Sequence, residues 1–275
     1  SDFSHKLRCD GPTFSPGSAC AYSCAFCYVG AIMLKNPHFA QARHEKRNFS
    51  DVVIRRANSV EILKSQLFTK SGKPKYLDSK DKRVVFTSPL VDVAANLELV
   101  AETIELSRLI LENTNWQIRY LSKSNFLPRI AEALEEYKKR MIFGVSTGTL
   151  DDKLAAAIEI GTPKVSKRIE SLHWLQDNGF RTYGMICPSL PVDDFDKFSK
   201  EICKAIRVDK CEHVWAEVIN LRGDSLARTA NALRKNGFDE IAARLEAAKG
   251  DLWEEYARET FLAHTKNIPP KKLRF

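Results

Sequence analysis

Short apolar runs rich in β-branched residues recur along the first four-fifths of this 275-residue chain, and longer amphipathic stretches separate them. That alternation restricts the fold. Parallel strands need a crossover of a dozen or more residues between them, and a helix is the usual connection. Strands are expected at residues 84–87, 117–121, 141–146, 181–186 and 214–219, with a sixth near 12–15 and an extra short one at 52–57. Helix patterns occupy 60–68, 96–112, 126–139, 164–178 and 195–207. Asn178-Gly179 reads as a helix C-cap, and Asp151-Asp152 as the start of a short helix, where carboxylates favour the dipole. Beyond Arg222 the pattern becomes wholly helical, at 224–235 and 239–266, with Asn236-Gly237 as the break. No internal repeat and no long linker interrupts the chain. The expectation is an α/β protein: an incomplete barrel of about six strands over residues 1–222, with a C-terminal helical extension over 223–275 packed on one end.

Hydrophobic residues make up 44% of the chain, enough for one large core. No run of eighteen apolar residues occurs, and the first residues lack the apolar stretch of a secretory signal, so a soluble, cytoplasmic protein without a membrane partner is expected. The net charge of +8 is unevenly placed. Residues 35–83 carry thirteen Lys or Arg against five Asp or Glu, and the rest of the chain balances. Such a segment steers anionic partners, nucleic acid above all; the plainer reading is a solvated basic loop.

Seven cysteines, an odd number, include three within eight positions: Cys20, Cys24 and Cys27, spaced C-x-x-x-C-x-x-C. Crowding of this kind indicates metal ligation in preference to a disulfide framework. A cubane [4Fe–4S] cluster held by three thiolates keeps one iron open. The amino and carboxylate groups of S-adenosylmethionine can chelate that iron, and one-electron reduction then releases a 5′-deoxyadenosyl radical. The alternative is a zinc knuckle completed by His5, His38 or His44. Zinc sites usually show two separated ligand pairs, whereas here three cysteines share one loop and no fourth ligand stands at regular spacing. Cys9, Cys203 and Cys211 are scattered and suggest no second cluster.

The segment Cys20-Ala21-Tyr22-Ser23-Cys24-Ala25-Phe26-Cys27-Tyr28 resembles the cluster loop of the radical S-adenosylmethionine superfamily, in particular the branch of spore photoproduct lyase and the DNA repair photolyase-like proteins. Further blocks are similar to that branch in the same order: 56–63, 120–124, 144–147, and 159–163 with Arg168. The resemblance covers about residues 12–195. It implies a partial (β/α)6 barrel of the radical SAM type, a [4Fe–4S] cluster on Cys20, Cys24 and Cys27, S-adenosylmethionine as cofactor, and an external electron donor such as flavodoxin or ferredoxin. It also implies a cofactor site at the carboxyl ends of the strands. Phe26 would lie near the adenine, Lys123 would pair with the cofactor carboxylate, and Ser88, Ser146 and Arg168 would complete the pocket. Ser88 and Ser146 read equally as strand-end turn residues.

One departure changes the expected reaction. The lyase carries a hydrogen-donating cysteine two positions before the serine at Ser88, and this chain has Phe86 there. Cys187, at the end of the fifth core strand, is the candidate hydrogen donor in its place; the alternative is a buried strand cysteine. Glu217 and Asn220, on or just past the last core strand, are candidates to reach into the barrel and hold substrate or the cofactor ribose, or else face solvent on an edge strand. The expected function is a radical SAM enzyme that repairs or modifies a nucleic acid or nucleotide. The alternatives are radical chemistry on a peptide or small metabolite, and a zinc-containing nucleic-acid-binding module without catalysis.

Overall fold

The computed structural model describes residues 8–20, 22–33, 36–40, 44–45 and 52–275. A short strand β1 (Thr13–Phe14) leads into an antiparallel hairpin of β2 (Gly17–Cys20) and β3 (Val53–Arg55), with helix α1 (Val29–Met33) between them. Then βα units follow: α2 (Ser59–Leu67), β4 (Val84–Thr87), α3 (Leu97–Asn113), β5 (Gln117–Ser122), α4 (Leu127–Ala133) and β6 (Met141–Ser146). Two helices, α5 (Asp152–Ile158) and α6 (Val165–Asp177), connect to β7 (Arg181–Ser189), and α7 (Phe195–Ala205) connects to β8 (Cys211–Val218). The helices α8 (Ser225–Lys235), α9 (Asp239–Ala247) and α10 (Asp251–Asn267) precede a final strand β9 (Leu273–Arg274).

Seven strands form one sheet in the order β1-β4-β5-β6-β7-β8-β9, and each neighbouring pair is parallel. The edge strands β1 and β9 do not pair with each other among the described residues, so the barrel is partial. The six expected core strands are present, β4 and β6 with their expected bounds. The seventh, β9, carries no periodic signal because it is two residues long. It adds the end of the C-terminal segment to the sheet beside β8.

Two helix expectations need correction. The pattern at 126–139 splits: α4 stops at Ala133 and a 3-10 helix runs over Glu135–Arg140. That second stretch fully buries no residue and only Tyr137 packs, half-buried, on the core, so little supports an α-helix, and Arg140 is drawn to the carbonyls of Thr114 and Leu111 at 2.7 and 2.6 Å. The pattern at 239–266 is broken at Gly250, whose φ of 54° ends one helix and redirects the next. The Asn178-Gly179 cap is present: Gly179 has φ 71°, and the Phe180 amide donates to Leu175 O at 2.9 Å.

Alternation along the strands divides the molecule into layers. Ile118, Tyr120, Phe143, Val145, Ile186 and Val214 point outward into the main core beneath the helices. Phe86, Met185 and Trp215 point inward and, with Cys9, form an apolar layer across the barrel. Burying each of these large side chains stabilises the fold by about 1.5–3 kcal/mol. Below that layer the Tyr183 ring lies flat over Gly144, its register partner; a Cβ there would sit 2.1 Å from Tyr183 Cζ. The Tyr183 hydroxyl crosses the strand to donate to Tyr120 O at 2.9 Å. Above the layer, the carboxyl ends of the strands remain polar and open.

Helices α8–α10 pack over that open end. Leu233, Leu245 and Tyr256 share a core with Leu154, Ile158 and Ile219, and Phe26 of the cysteine loop packs against it. The basic segment is divided by the fold. Lys35 and residues 41–43 and 46–51 lie outside the described residues, and β3 lies beside the cysteine loop. Residues 68–83 precede β4 and therefore lie at the opposite, amino end of the parallel strands. No described helix is long and apolar enough to cross a membrane.

Candidate active site

A cavity of about 230 Å³ opens at the carboxyl ends of the strands and is lined by Cys20, Cys24 and Cys27 together with residues from β4 to β8. The cysteine loop leaves β2 at Cys20 and turns through a Cys27 N to Cys24 O hydrogen bond of 3.0 Å. Its backbone is held from two directions. Cys24 forms a β-bridge with Glu159, Ala25 N donates to Ile158 O at 2.8 Å, and Gly161 N donates to Tyr22 O at 3.0 Å. From the C-terminal helices, Arg228 Nη2 donates to Cys27 O at 2.7 Å. The segment 158–161 after α5 and the first turn of α8 thus position a loop distant from both in sequence. Burial, reinforced by Asp92, pushes the Cys20 thiol up to about 11, and burial with Glu159 raises Cys24; each also feels other thiols of the loop. Ligation of a metal by such thiols releases protons.

Lys123 occupies the centre of one wall. Its Nζ donates to Ser146 Oγ at 2.7 Å, lies 3.6 Å from Glu159 Oε1, and stands 5.4 Å from the centroid of the Phe26 ring. Burial opposes its charge, but the Glu159 carboxylate outweighs burial and holds Lys123 above the ordinary lysine value. Behind this wall Arg168, fully buried, pairs with Glu159 Oε2 at 2.6 Å and donates to Pro163 O at 2.9 Å and to Ser146 O at 3.4 Å. Arg168 therefore holds Glu159 and the end of β6 from outside the cavity, and it does not line it.

The remaining sequence candidates all line the cavity: Phe26, Ser88, Lys123, Ser146, Cys187, Glu217 and Asn220. Ser88 has φ 45°, a left-handed conformation that costs about 1–3 kcal/mol in a non-glycine residue. Its hydroxyl accepts from Leu90 N and Val91 N at 3.3 and 3.1 Å and meets Ser15 Oγ at 2.7 Å, so it also builds the turn after β4. Cys187 Sγ lies 3.9 Å from Glu217 Oε2, and burial together with Glu217 pushes the thiol up to about 12. Asn220 Oδ1 accepts from Arg222 N at 2.8 Å just beyond β8. Phe86 forms part of the cavity floor with Met185 and Trp215.

Two acidic residues escaped the sequence reading. Asp92 accepts from Ser122 Oγ, Lys123 N and Ala94 N at 2.6, 2.7 and 3.0 Å and ties the turn after β4 to the end of β5. Burial raises its carboxyl above the ordinary range, against those hydrogen bonds. A lone carboxylate in the apolar run Leu90-Val91-Asp92-Val93 was the available signal, the same kind that singled out Glu217. Glu159 stood within a recognised block, but its role as the shared partner of Lys123 and Arg168 depends on tertiary contact.

The residues fit the group that the motif implies. Three thiols from one loop face a cavity whose wall carries a cation and an aromatic ring. No three His, Cys, Asp or Glu side chains among the described residues come close enough to share one metal ion. Cubane ligands need no such convergence, because each thiolate takes its own iron. Of the histidines considered for zinc, His5 and the side chain of His38 lie outside the described residues, and His44 is exposed.

No protein-family model matches the chain. It is 25% identical over 227 residues to the uncharacterized protein ORF301 of Acidianus two-tailed virus, covering 79% of this chain and 70% of that one. It is 23% identical over 190 residues to the uncharacterized protein MJ0683 of Methanocaldococcus jannaschii, covering 66% of this chain and 64% of the relative. Among solved structures it is similar to a cysteine-to-serine variant of spore photoproduct lyase, with a TM-score of 0.62 at 10% identity over 95% of this chain and 76% of the other. A second variant of that lyase, with bound AdoMet and dinucleoside spore photoproduct, gives a TM-score of 0.61 at 10% identity over 96% and 77%. The fold is similar to that of spore photoproduct lyase over nearly the whole of this chain.

Proposed function

We propose that this chain is a radical S-adenosylmethionine enzyme that acts on a nucleic acid or nucleotide. The observation that carries the reading is the convergence of Cys20, Cys24, Cys27, Phe26, Lys123 and Ser146 on one cavity at the carboxyl ends of a partial barrel. The three cysteines would hold a [4Fe–4S] cluster, and the cluster with S-adenosylmethionine would supply a 5′-deoxyadenosyl radical. The protein's own residues do the rest. Lys123, kept charged by Glu159, offers its ammonium to the cofactor carboxylate, and Ser146 holds that ammonium in place. Phe26 gives an apolar face for the adenine. The floor of Phe86, Met185 and Trp215 excludes water from below. With Phe86 at the lyase-type cysteine position, Cys187 is the hydrogen-atom source on the cavity wall, and its raised value keeps the S–H intact.

The nucleic-acid assignment draws support from the positive charge of residues 35–83 that lies beside the cysteine loop, Arg55 and Arg56 around β3 among the described residues, and from the dinucleoside spore photoproduct bound by the similar lyase. An external electron donor such as flavodoxin or ferredoxin would reduce the cluster. Residues 1–222 would form the catalytic barrel, with the helices of 223–275 packed on it and β9 extending its sheet.

The test is anaerobic purification and reconstitution with iron and sulfide, followed by a strong one-electron reductant and S-adenosylmethionine. Cluster absorption in the visible and formation of 5′-deoxyadenosine, stimulated by DNA or RNA, are expected. A colourless zinc-loaded protein, or a loaded one that never cleaves the cofactor, overturns the reading. Cofactor cleavage with no salt-sensitive affinity for oligonucleotides would leave the radical chemistry and remove the nucleic acid.

A further inference from the structure

The face where α1 meets the start of α8 joins the cysteine loop to solvent. Helix α1 follows Cys27 and Tyr28 directly, and the Ile32 amide donates back to Tyr28 O at 3.3 Å. From the far end of the chain, residues 221–228 lie against it. A Cβ on Gly223 would sit 3.4 Å from Ala31 Cβ, the Arg222 guanidinium stands 6.0 Å from the centroid of the Tyr28 ring, and Arg228 Nη2 donates to Cys27 O at 2.7 Å. Two aliphatic side chains are exposed on these adjoining segments, Ile32 at 47% and Leu221 at 49%. A single exposed aliphatic residue is ordinary, whereas two beside a loop of metal-ligating cysteines, with arginines around them, make a contact patch.

The charge of the face is positive. Residues 29–33 and 221–228 carry Arg222, Asp224 and Arg228 and no other charged side chain, and Asp224 pairs with Arg228 at 2.9 Å, so Arg222 holds the surplus. Residues 34–51, which continue the chain from α1 to the hairpin, carry four Lys or Arg against two Asp or Glu, a net charge of the same sign. Arg228 spans the remaining distance: its side chain is 39% exposed at the surface and bonds the backbone of Cys27 within. One hydrogen bond and the covalent bonds of Cys27 therefore separate the surface from a thiol of the loop. A nucleic acid asks for several cations in a row, and one uncompensated arginine beside two aliphatic groups does not supply them. A small acidic protein that makes a brief contact needs only an apolar centre, little area and a few charges for steering.

We infer that this face docks the small acidic one-electron carrier that reduces the cluster, with Ile32 and Leu221 as the apolar contact, Arg222 as the steering charge and Arg228 as the link to Cys27. The inference rests on the radical S-adenosylmethionine reading and assigns the partner of that site a place on the surface. One electron leaves the reduced carrier, which is oxidised, and enters the cluster, which is reduced; no bond forms or breaks and no proton moves at the face.

The experiment uses the full chain, reconstituted anaerobically, with flavodoxin and ferredoxin as separate probes and dithionite as the control reductant. The double variant Leu221→Glu, Arg222→Glu and, independently, Ile32→Glu place acids on the exposed face at positions that do not line the cavity. Formation of 5′-deoxyadenosine with dithionite should be unchanged in both. Formation supported by the better of the two carriers should fall by about 10-fold or more at low salt, and the loss should shrink as salt screens the charges. Carrier affinity, titrated calorimetrically, should fall by a similar factor. If the wild type forms no 5′-deoxyadenosine with dithionite, the radical reading fails, and the affinities alone decide the docking face. The inference is overturned if neither carrier binds the wild type saturably, if carrier affinity is equal in wild type and both variants, or if the variants lose oligonucleotide affinity in place of carrier affinity.

Discussion

Lys123 shows how one side chain can serve both the stability of a site and its proposed chemistry. Its ammonium sits among Ser146, Glu159, Cys24 and Cys187, and Glu159, shared with Arg168, keeps it charged before any cofactor binds. Lys123→Met should leave cluster assembly intact, seen in the visible absorption, while S-adenosylmethionine affinity falls by about 10–100-fold, the worth of a charge-assisted hydrogen bond. Equal affinity in wild type and variant would remove Lys123 from the cofactor site. Arg168 behaves differently, because it touches Glu159 and not the cavity. Arg168→Met strips a buried carboxylate of its closest partner and should destabilise the fold by about 3–5 kcal/mol in denaturant titration. A loss under about 1 kcal/mol would show that Glu159 is held by other means. Lys123 was legible in sequence because the resemblance carried by residues 120–124 implied it as a cofactor residue. The difference between Lys123 and Arg168 was not, since their separation by the wall of β6 exists only once the strands are paired.

Among elements, the contact of α7 with α10 is a place where pH acts on the fold. His264 is fully buried on α10, with Nδ1 3.0 Å from Ser199 Oγ on α7, and burial pushes it down to about 4. In the unfolded chain the same ring titrates near 6.5. Between those values the unfolded state binds more protons, so stability is complete above pH 6.5 and is lost as pH falls toward 4, by up to about 1.4 kcal/mol per pH unit for this group. Denaturant titrations between pH 4.5 and 7 should show that slope, and His264→Gln should reduce it to the part due to His213, which burial also pushes down, to about 3. Equal slopes in the two proteins would refute the assignment. The strands were readable because β-branched runs are local, and β4 and β6 have their expected bounds. The 3-10 stretch at Glu135–Arg140 was not readable: its helical pattern was local, but Arg140 answers to carbonyls at the end of α3.

For the whole molecule, the direction of the sheet decides what the positive charge can do. All seven strands run in parallel, so everything before a strand lies at one end and everything after it at the other. The basic loop at 68–83 falls at the end away from the proposed catalytic cavity. Replacing Lys70, Lys73, Lys80 and Lys82 together with Gln should therefore leave unchanged the salt dependence of oligonucleotide binding at the cavity mouth. If the slope of log K against log salt falls by several units, the nucleic acid docks on the basic end instead. Net charge and its clustering were plain in the sequence, but a linear segment that spans the barrel from top to bottom cannot be one surface.

The order of residues alone determined what is local: the alternation of strand and helix and the three thiols of one loop, to which the resemblance added the cofactor residues at the strand ends. Tertiary structure decided the rest. It brought Glu159 to Lys123, Asp92 to the end of β5, and Glu217 to Cys187, and it set Arg119 beside His213 around the Tyr183 ring. It also divided the basic segment between two ends. Those outcomes depend on which strands pair, in what register and facing which way, and each is settled by burying one face of every strand at once.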